Sequence, residues 1–212
     1  MSDKKAGIRG MLKYGAILAL YTTVACVGLA FVYAGTGKII AQRQMADQDA
    51  ALKELFPDAD SFKPITITKT PDQDLNVTIE EDGAFAALKD GVPMGVALRT
   101  SRASYSGLIK ILVGVDVNSK ITAIKILENT DTPGLGANAG SSNYYVDRVN
   151  GIRFYDQFKG KSVTDPFVPK QDIIAITAAT ITSRAVAESI KAAGEAASLW
   201  FASDPGIQGG SR

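Results

Sequence analysis

The sequence predicts an α+β fold, a mostly antiparallel sheet with flanking helices, behind one N-terminal transmembrane helix. Three observations predict it. A charge-free stretch of 24 residues runs from Tyr14 to Gly37. Short β-branched runs that alternate with polar residues fill much of 64–127, separated by turn residues. A last stretch, from about Ser183 to Phe201, carries its apolar residues at helical spacing.

The first stretch fixes the compartment. At about 1.5 Å per residue, a helix of that length covers roughly 36 Å, enough for a hydrocarbon core of about 30 Å. Its apolar heart, GAILALYTTVACVGLAFVYA, contains Cys26 as helix filling. Lys4, Lys5, Arg9 and Lys13 precede it against Asp3 alone, while Lys38 and Arg43 follow beside Asp47 and Asp49. That bias puts 1–13 in the cytoplasm, 14–37 in the inner (plasma) membrane and the main domain on the periplasmic side. A cleaved signal peptide ending at Val32-Tyr33-Ala34 is the rival reading, but its apolar region would be about 7–15 residues. A buried core helix is the third, and the flanking charges argue against it.

Residues 38–63 read as a juxtamembrane helix and linker. Ile39, Ile40, Leu52, Leu55 and Phe56 mark an apolar side, and Pro57 ends the helix. The extracytoplasmic domain is expected over 64–202. Ile65/Ile67, Leu75/Val77/Ile79 and Val92 to Leu98 suggest strands, with turns at Pro71-Asp72 and Asp82-Gly83. The clearest hairpin is LIKILVGVDV and ITAIKIL around Asn118-Ser119-Lys120. From about 128 to 170 the chain turns to Gly, Asn, Asp, Tyr and Pro, a connection long enough to suggest function. Val186, Ile190, Ala193, Ala197 and Phe201 form the stripe of the last helix, and 203–212 read as a flexible tail.

Composition removes whole classes of chemistry. There is no histidine, so Ser-His-Asp or Cys-His hydrolysis and His-ligated zinc or haem have no imidazole to use. One cysteine cannot form an intrachain disulfide or hold an iron–sulfur cluster. With 23 Lys+Arg against 22 Asp+Glu there is no basic excess, and no nucleic-acid partner is expected. No side-chain metal site is expected either. Carboxylate chemistry, lysine chemistry and organic cofactors remain.

Three local patterns carry chemistry. Ile176–Ser183, ITAATITS, sets Thr177, Thr180, Thr182 and Ser183 among alanines at what reads as a strand-to-helix junction. A helix N-terminus offers unpaired N–H groups and a positive dipole end to a phosphate. The same hydroxyls could simply cap the helix, at Thr182 or Ser183. Asp131–Gly136, DTPGLG, fixes one φ at Pro133 and frees two at Gly134 and Gly136, so backbone can approach a flat ligand closely. It could equally be a surface turn. Tyr105-Ser106-Gly107, before the central strand, offers a tyrosine for a pocket wall or for the core edge.

Taken in order, SYSGLIKILVGVD, KITAIKILENTDTPGLG, FYDQFKGK and ITAATITSRAV resemble the covalent-flavin subunits of two membrane redox complexes. These are RnfG, from the Rnf complex (an ion-translocating ferredoxin:NAD⁺ oxidoreductase), and NqrC, from the sodium-translocating NADH:quinone reductase. The resemblance runs from the anchor to about residue 202, and chain length and motif spacing look more like RnfG. It implies an FMN-binding domain and a motif Asp-x-x-Ser/Thr-Gly-Ala-Thr-x-Thr, modified by a flavin transferase at its final threonine. Here that threonine is Thr182, with Thr177, Ala179 and Thr180 matching before it. Ile174 stands where the family has Asp, and Ala178 where it usually has Gly. Relatives often read His-x-Glu-Thr-Pro-Gly-Leu-Gly in the loop. Asn129 and Asp131 occupy the first and third of those positions, and Thr132, Pro133, Gly134, Leu135 and Gly136 match.

The resemblance therefore implies FMN bound as a phosphoester of Thr182. Thr177, Ala178, Ala179, Thr180, Asp131 through Gly136 and Tyr105 would surround it. It implies an electron-relay protein that is not catalytic alone, working with other membrane subunits in a redox translocase. Two further readings stay open. One is a single-pass assembly protein without flavin, motivated by Ile174 and Ala178. The other is a secreted flavoprotein reductase, which requires cleavage near Ala34.

Overall fold

The computed structural model describes residues 2–67 and 75–203 of the chain, in two compact units, Met1–Asp49 and Ala50–Arg212. The predicted turn at Pro71-Asp72 and the tail from 204 onward lie outside the described residues, as do the side chains of Ile39 and Ile40.

The first unit is helical. Helix α1 is Ser2–Leu55, and within it Lys13–Thr36 is long and apolar enough to cross a membrane, by length and composition. Large apolar side chains such as Leu18, Tyr21, Val24 and Phe31 are exposed along it, a surface suited to lipid. Its threonine hydroxyls are internally satisfied, as a segment without water requires. Thr22, Thr23 and Thr36 donate to Leu18 O (3.1 Å), Ala19 O (2.7 Å) and Val32 O (2.8 Å) respectively, each one turn back.

The second unit is built on a five-stranded antiparallel meander, in the order β1-β2-β3-β4-β5. The strands are Ser61–Pro64 (β1), Val77–Lys89 (β2), Val92–Ala103 (β3), Leu108–Asp116 (β4) and Ile121–Asn129 (β5). The β4–β5 hairpin forms at the position expected from sequence. Ser119 takes φ +58°, and Asp116 Oδ1 accepts from the N–H groups of Asn118 (2.9 Å) and Lys120 (2.8 Å), closing the turn.

The predicted turn at Asp82-Gly83 is instead part of β2. The register slips there, between Ile79 and Ala84, so the Asp-Gly pair makes a bulge within one long strand. The β2–β3 reversal falls at the next Asp-Gly pair. Asp90 (φ +51°) and Gly91 (φ +79°) supply the two left-handed residues that a tight hairpin needs. Ile65 and Ile67 lie past the end of β1, although Ile65 N still donates to Ala84 O at 2.9 Å and both pack on the core.

Both faces of the sheet are covered, which explains why β4 reads as an almost unbroken apolar run. Val96, Leu98, Ile111, Val113 and Ile124 face a core closed by helix α2, Thr180–Ser203, and by the connection after β5. Ala87, Ala97 and Leu112 face the other way, against Ala51, Leu52, Leu55 and Phe56. Glycine permits that approach: a Cβ on Gly95 would collide with the Phe56 ring, and one on Gly114 would press within 3.2 Å of Leu55.

The long connection carries its own short elements. They are a 3₁₀ turn at Gly136–Gly140, a small hairpin of β6 (Tyr145–Asp147) and β7 (Ile152–Arg153), and a 3₁₀ turn at Asp156–Phe158. Phe154 and Phe158 meet edge to face at 5.5 Å between centroids, and Phe167 stacks on Phe158 at 6.5 Å. These rings seal the core where no strand or long helix covers it. Helix α2 begins at Thr180, three residues earlier than its apolar stripe suggests, and buries Val186, Ile190, Ala193 and Ala197.

Candidate functional site

Antiparallel pairing brings the end of β3, the start of β4 and the end of β5 to one end of the sheet. The β3–β4 turn closes with Ser104 N donating to Gly107 O at 2.7 Å. β5 ends at Asn129 and releases the loop that carries Asp131 to Gly136. The first turn of α2 meets that loop.

Asp131 joins the three segments. It is only 4% exposed. Its Oδ2 accepts from Ser104 Oγ at 2.5 Å and from Thr182 Oγ1 at 2.6 Å, and its Oδ1 accepts from Ser106 N at 2.8 Å. Burial pushes the carboxyl toward the neutral form. Donation from Ser104, Thr182 and the N–H groups of Ser106 and Tyr105 outweighs it and holds the group below the ordinary carboxylate range. Asn129 fixes the backbone on both sides, its Oδ1 accepting from Asp131 N (2.9 Å) and its Nδ2 donating to Gly136 O (3.0 Å).

The loop is close-packed because Gly136 has no side chain. A Cβ there would strike Thr182 Oγ1 and sit 2.7 Å from Asp131 Cβ. Gly134, at φ +79°, uses the other conformational freedom the sequence offered, and Leu135 N and Ala137 N both donate to Thr132 O.

The hydroxyl cluster has a different backbone from the one its sequence suggests. No strand leads into α2: residues 174–179 run without strand pairing, so Thr177 finishes no strand and Thr180 opens the helix. Ser183 is the local organiser. Its Oγ accepts from Ile176 N and donates to Ala179 O, both at 2.9 Å. Thr182, 1% exposed, bonds to no nearby backbone group and reaches Asp131 instead. Ala178 sits at φ +59°, a left-handed conformation that glycine adopts without cost.

Asp172 lies two residues upstream of Ile174. It accepts from Phe167 N (3.2 Å), Val168 N (2.6 Å) and Lys161 Nζ (3.4 Å), which commits it to its own loop. Ile174 is 45% exposed, and Gln157 grips its backbone with its Oε1 to Ile174 N (2.8 Å) and its Nε2 to Ile174 O (3.1 Å).

A cavity of about 550 Å³ opens between these segments. Of the residues singled out from sequence, it gathers Tyr105, Asp131, Thr132, Leu135 and Gly136 from the loops, and Ala178, Ala179, Thr180 and Thr182 from the α2 junction. Ile181 completes the lining. Pro133 and Gly134 stand outside it, and Thr177 lines an adjoining cleft over 170–180 that shares Ala178 and Thr180. Thr177 N donates to the Tyr144 hydroxyl at 3.3 Å. Tyr105 is 69% exposed at the mouth, so it does not cap the core. Ser104, Ser106, Ile181 and Gln157 were absent from the expected site. Ser104 was the available signal, because a hydroxyl beside a turn suits a buried acceptor; Ser106 contributes only its backbone N–H.

Comparison with known proteins decides the family. The FMN-binding domain family matches residues 104–195, and the RnfG N-terminal region matches 1–55. The corresponding subunit of the proton-translocating ferredoxin:NAD(+) oxidoreductase complex of Clostridium ljungdahlii is 30% identical over 82% of this chain and 86% of its own. The chain belongs to the RnfG family of ion-translocating oxidoreductase complexes. Among other RnfG-type proteins, that of the ion-translocating oxidoreductase complex of Methanosarcina acetivorans is 28% identical over 91% of this chain and 95% of its own. That of the Na(+)-translocating ferredoxin:NAD(+) oxidoreductase complex of Acetobacterium woodii is 28% identical over 85% and 88%. A solved structure, NqrC of Shewanella oneidensis, is similar at 20% identity over 69% of this chain and 67% of that one, with a TM-score of 0.42. As a member of the RnfG family, the chain is a redox component of such a complex, with an FMN-binding domain and, among the described residues, one candidate membrane helix.

Proposed function

We propose that this protein holds FMN joined by a phosphoester to Thr182 and relays electrons between other subunits of a membrane-bound ferredoxin:NAD⁺ oxidoreductase. The observation that carries the reading is the meeting of Thr182, the DTPGLG loop and the α2 N-terminus around one cavity.

The residues present fit that group. A volume of about 550 Å³ lies within the range of small-molecule sites, roughly 300–1,000 Å³. The first-turn N–H groups of α2 lack acceptors inside the helix and suit a phosphate. The lining is mixed: Leu135, Ile181 and Tyr105 are exposed at the rim, while Thr180 and Thr182 lie on the helix side. Bound flavin supplies the electron chemistry, and the chain supplies attachment, orientation and charge compensation. The exposed rim residues leave the cavity accessible to a neighbouring protein of the complex.

The family's flavin transferase is the expected maturation partner. The same reading places residues 1–13 in the cytoplasm and the domain from 64 to 202 on the periplasmic face, by the charge bias around the span. Chain co-produced with the transferase is expected to give a fluorescent band after denaturing electrophoresis, and Thr182→Ala none. A Thr182→Ala band as bright as wild type would contradict the attachment site.

A further inference from the structure

We propose that Asp131 is the base that takes the Thr182 hydroxyl proton when FMN is attached, an inference that rests on the reading of Thr182 above. An alkyl hydroxyl is a weak nucleophile until a neighbouring group receives its proton. In this histidine-free chain the hydroxyl already points at a carboxylate: Thr182 Oγ1 donates to Asp131 Oδ2 at 2.6 Å, and both residues line the cavity. The carboxylate is held in place by Ser106 N on its other oxygen and by Asn129 on its backbone, so no rotation is needed before transfer. A carboxylate that only stabilised a loop would resemble Asp172, which bonds to the backbone N–H groups of its own loop and to a lysine. Asp131 instead binds the reacting oxygen across 51 residues of sequence.

The step balances with a flavin dinucleotide as donor. The bond from Thr182 Oγ1 to the flavin-side phosphorus forms, the bridging P–O bond breaks, and the nucleotide monophosphate leaves. The proton passes from Thr182 Oγ1 to Asp131 Oδ2, and nothing is oxidised or reduced. Asp131 then passes the proton to the departing nucleotide phosphate, which restores the carboxylate. Ser104 Oγ, a donor to Oδ2 beforehand, can rotate to accept from it while the proton is held there.

The test is steady-state flavin transfer to the full chain in detergent, with purified transferase and the flavin dinucleotide, read as fluorescence of the denatured band. Asp131→Asn is expected to lower kcat on the order of 100-fold, the usual scale for losing a general base, with KM for the chain unchanged. Asp131→Glu is expected to recover most of it. A fall in kcat of less than about tenfold in Asp131→Asn overturns the proposal. So does a loss seen in KM instead, or one that Asp131→Glu leaves in place. If Asp131→Asn does not fold, Asp131→Glu carries the test: kcat within about tenfold of wild type supports the proposal and a larger fall overturns it. Wild type labelled at Thr182 beside an equally fast Asp131→Asn removes the base and leaves the attachment site standing. Wild type that takes no flavin at Thr182 overturns both.

Discussion

Asp131 and Asp172 are both carboxylates that organise loops beside α2, and they do so in opposite ways. Asp172 accepts from Phe167 N, Val168 N and Lys161, partners within 11 residues of it. Asp131 accepts from Ser104, Ser106 and Thr182, 25 to 51 residues away. The first ties a loop to itself, and the second ties three segments to one another. Where a buried charge gathers side-chain hydroxyls from separate elements, it marks the site. Where it gathers neighbouring amides, it marks a turn.

Variants in and around the two loops break that comparison most sharply. Gly136→Ala is expected to have the largest effect, since its Cβ would occupy the space of Thr182 Oγ1 and the Asp131 side chain. A loss of about 2–3 kcal/mol in urea unfolding, together with loss of flavin fluorescence, is the expected outcome. Next, Asp131→Ala leaves the buried Thr182 hydroxyl, the half-buried Ser104 hydroxyl and the Ser106 N–H without their acceptor. It should cost about 2 kcal/mol, against about 1 for Asp172→Ala, measured side by side in urea. Equal losses would mean that both carboxylates are ordinary loop anchors.

Acid sharpens the contrast. The Asp131 carboxyl is held below its ordinary range when folded, so its contribution is fully present above the unfolded carboxylate value of about 3.9. It is lost as pH falls through the lower folded value. The stability gap between wild type and Asp131→Asn should therefore be flat above about pH 5 and shrink below about pH 4. The smallest effect belongs to Ala178→Gly. Relieving a left-handed alanine should stabilise the chain by about 1 kcal/mol, read as a higher urea midpoint.

These particulars also show what sequence could and could not carry. The β4–β5 hairpin was legible because β-branched alternation and Asn118-Ser119-Lys120 agree with each other. The two Asp-Gly pairs were not separable, because a dipeptide reports only a willingness to turn. Asp82-Gly83 became a bulge and Asp90-Gly91 the reversal once cross-strand register was fixed. The helix start at Thr180 was hidden because its first turn is exposed or tied to the site, not to the apolar stripe. The Thr182–Asp131 bond spans 51 residues, so local spacing cannot show it, although both residues stood out through their own motifs. The positive φ of Ala178 was masked by its identity, since glycine is the residue that advertises such a backbone.

The central claim is that Thr182, held against Asp131 at the edge of the cavity, is the attachment point for FMN. Intact-mass analysis of the full chain co-produced with the flavin transferase, followed by peptide mapping, tests it most directly. The expected result is a single adduct of FMN less one water, on the peptide that contains Thr182 and localised to that residue. An unmodified chain, or an adduct localised to Thr177, Thr180 or Ser183, would contradict it.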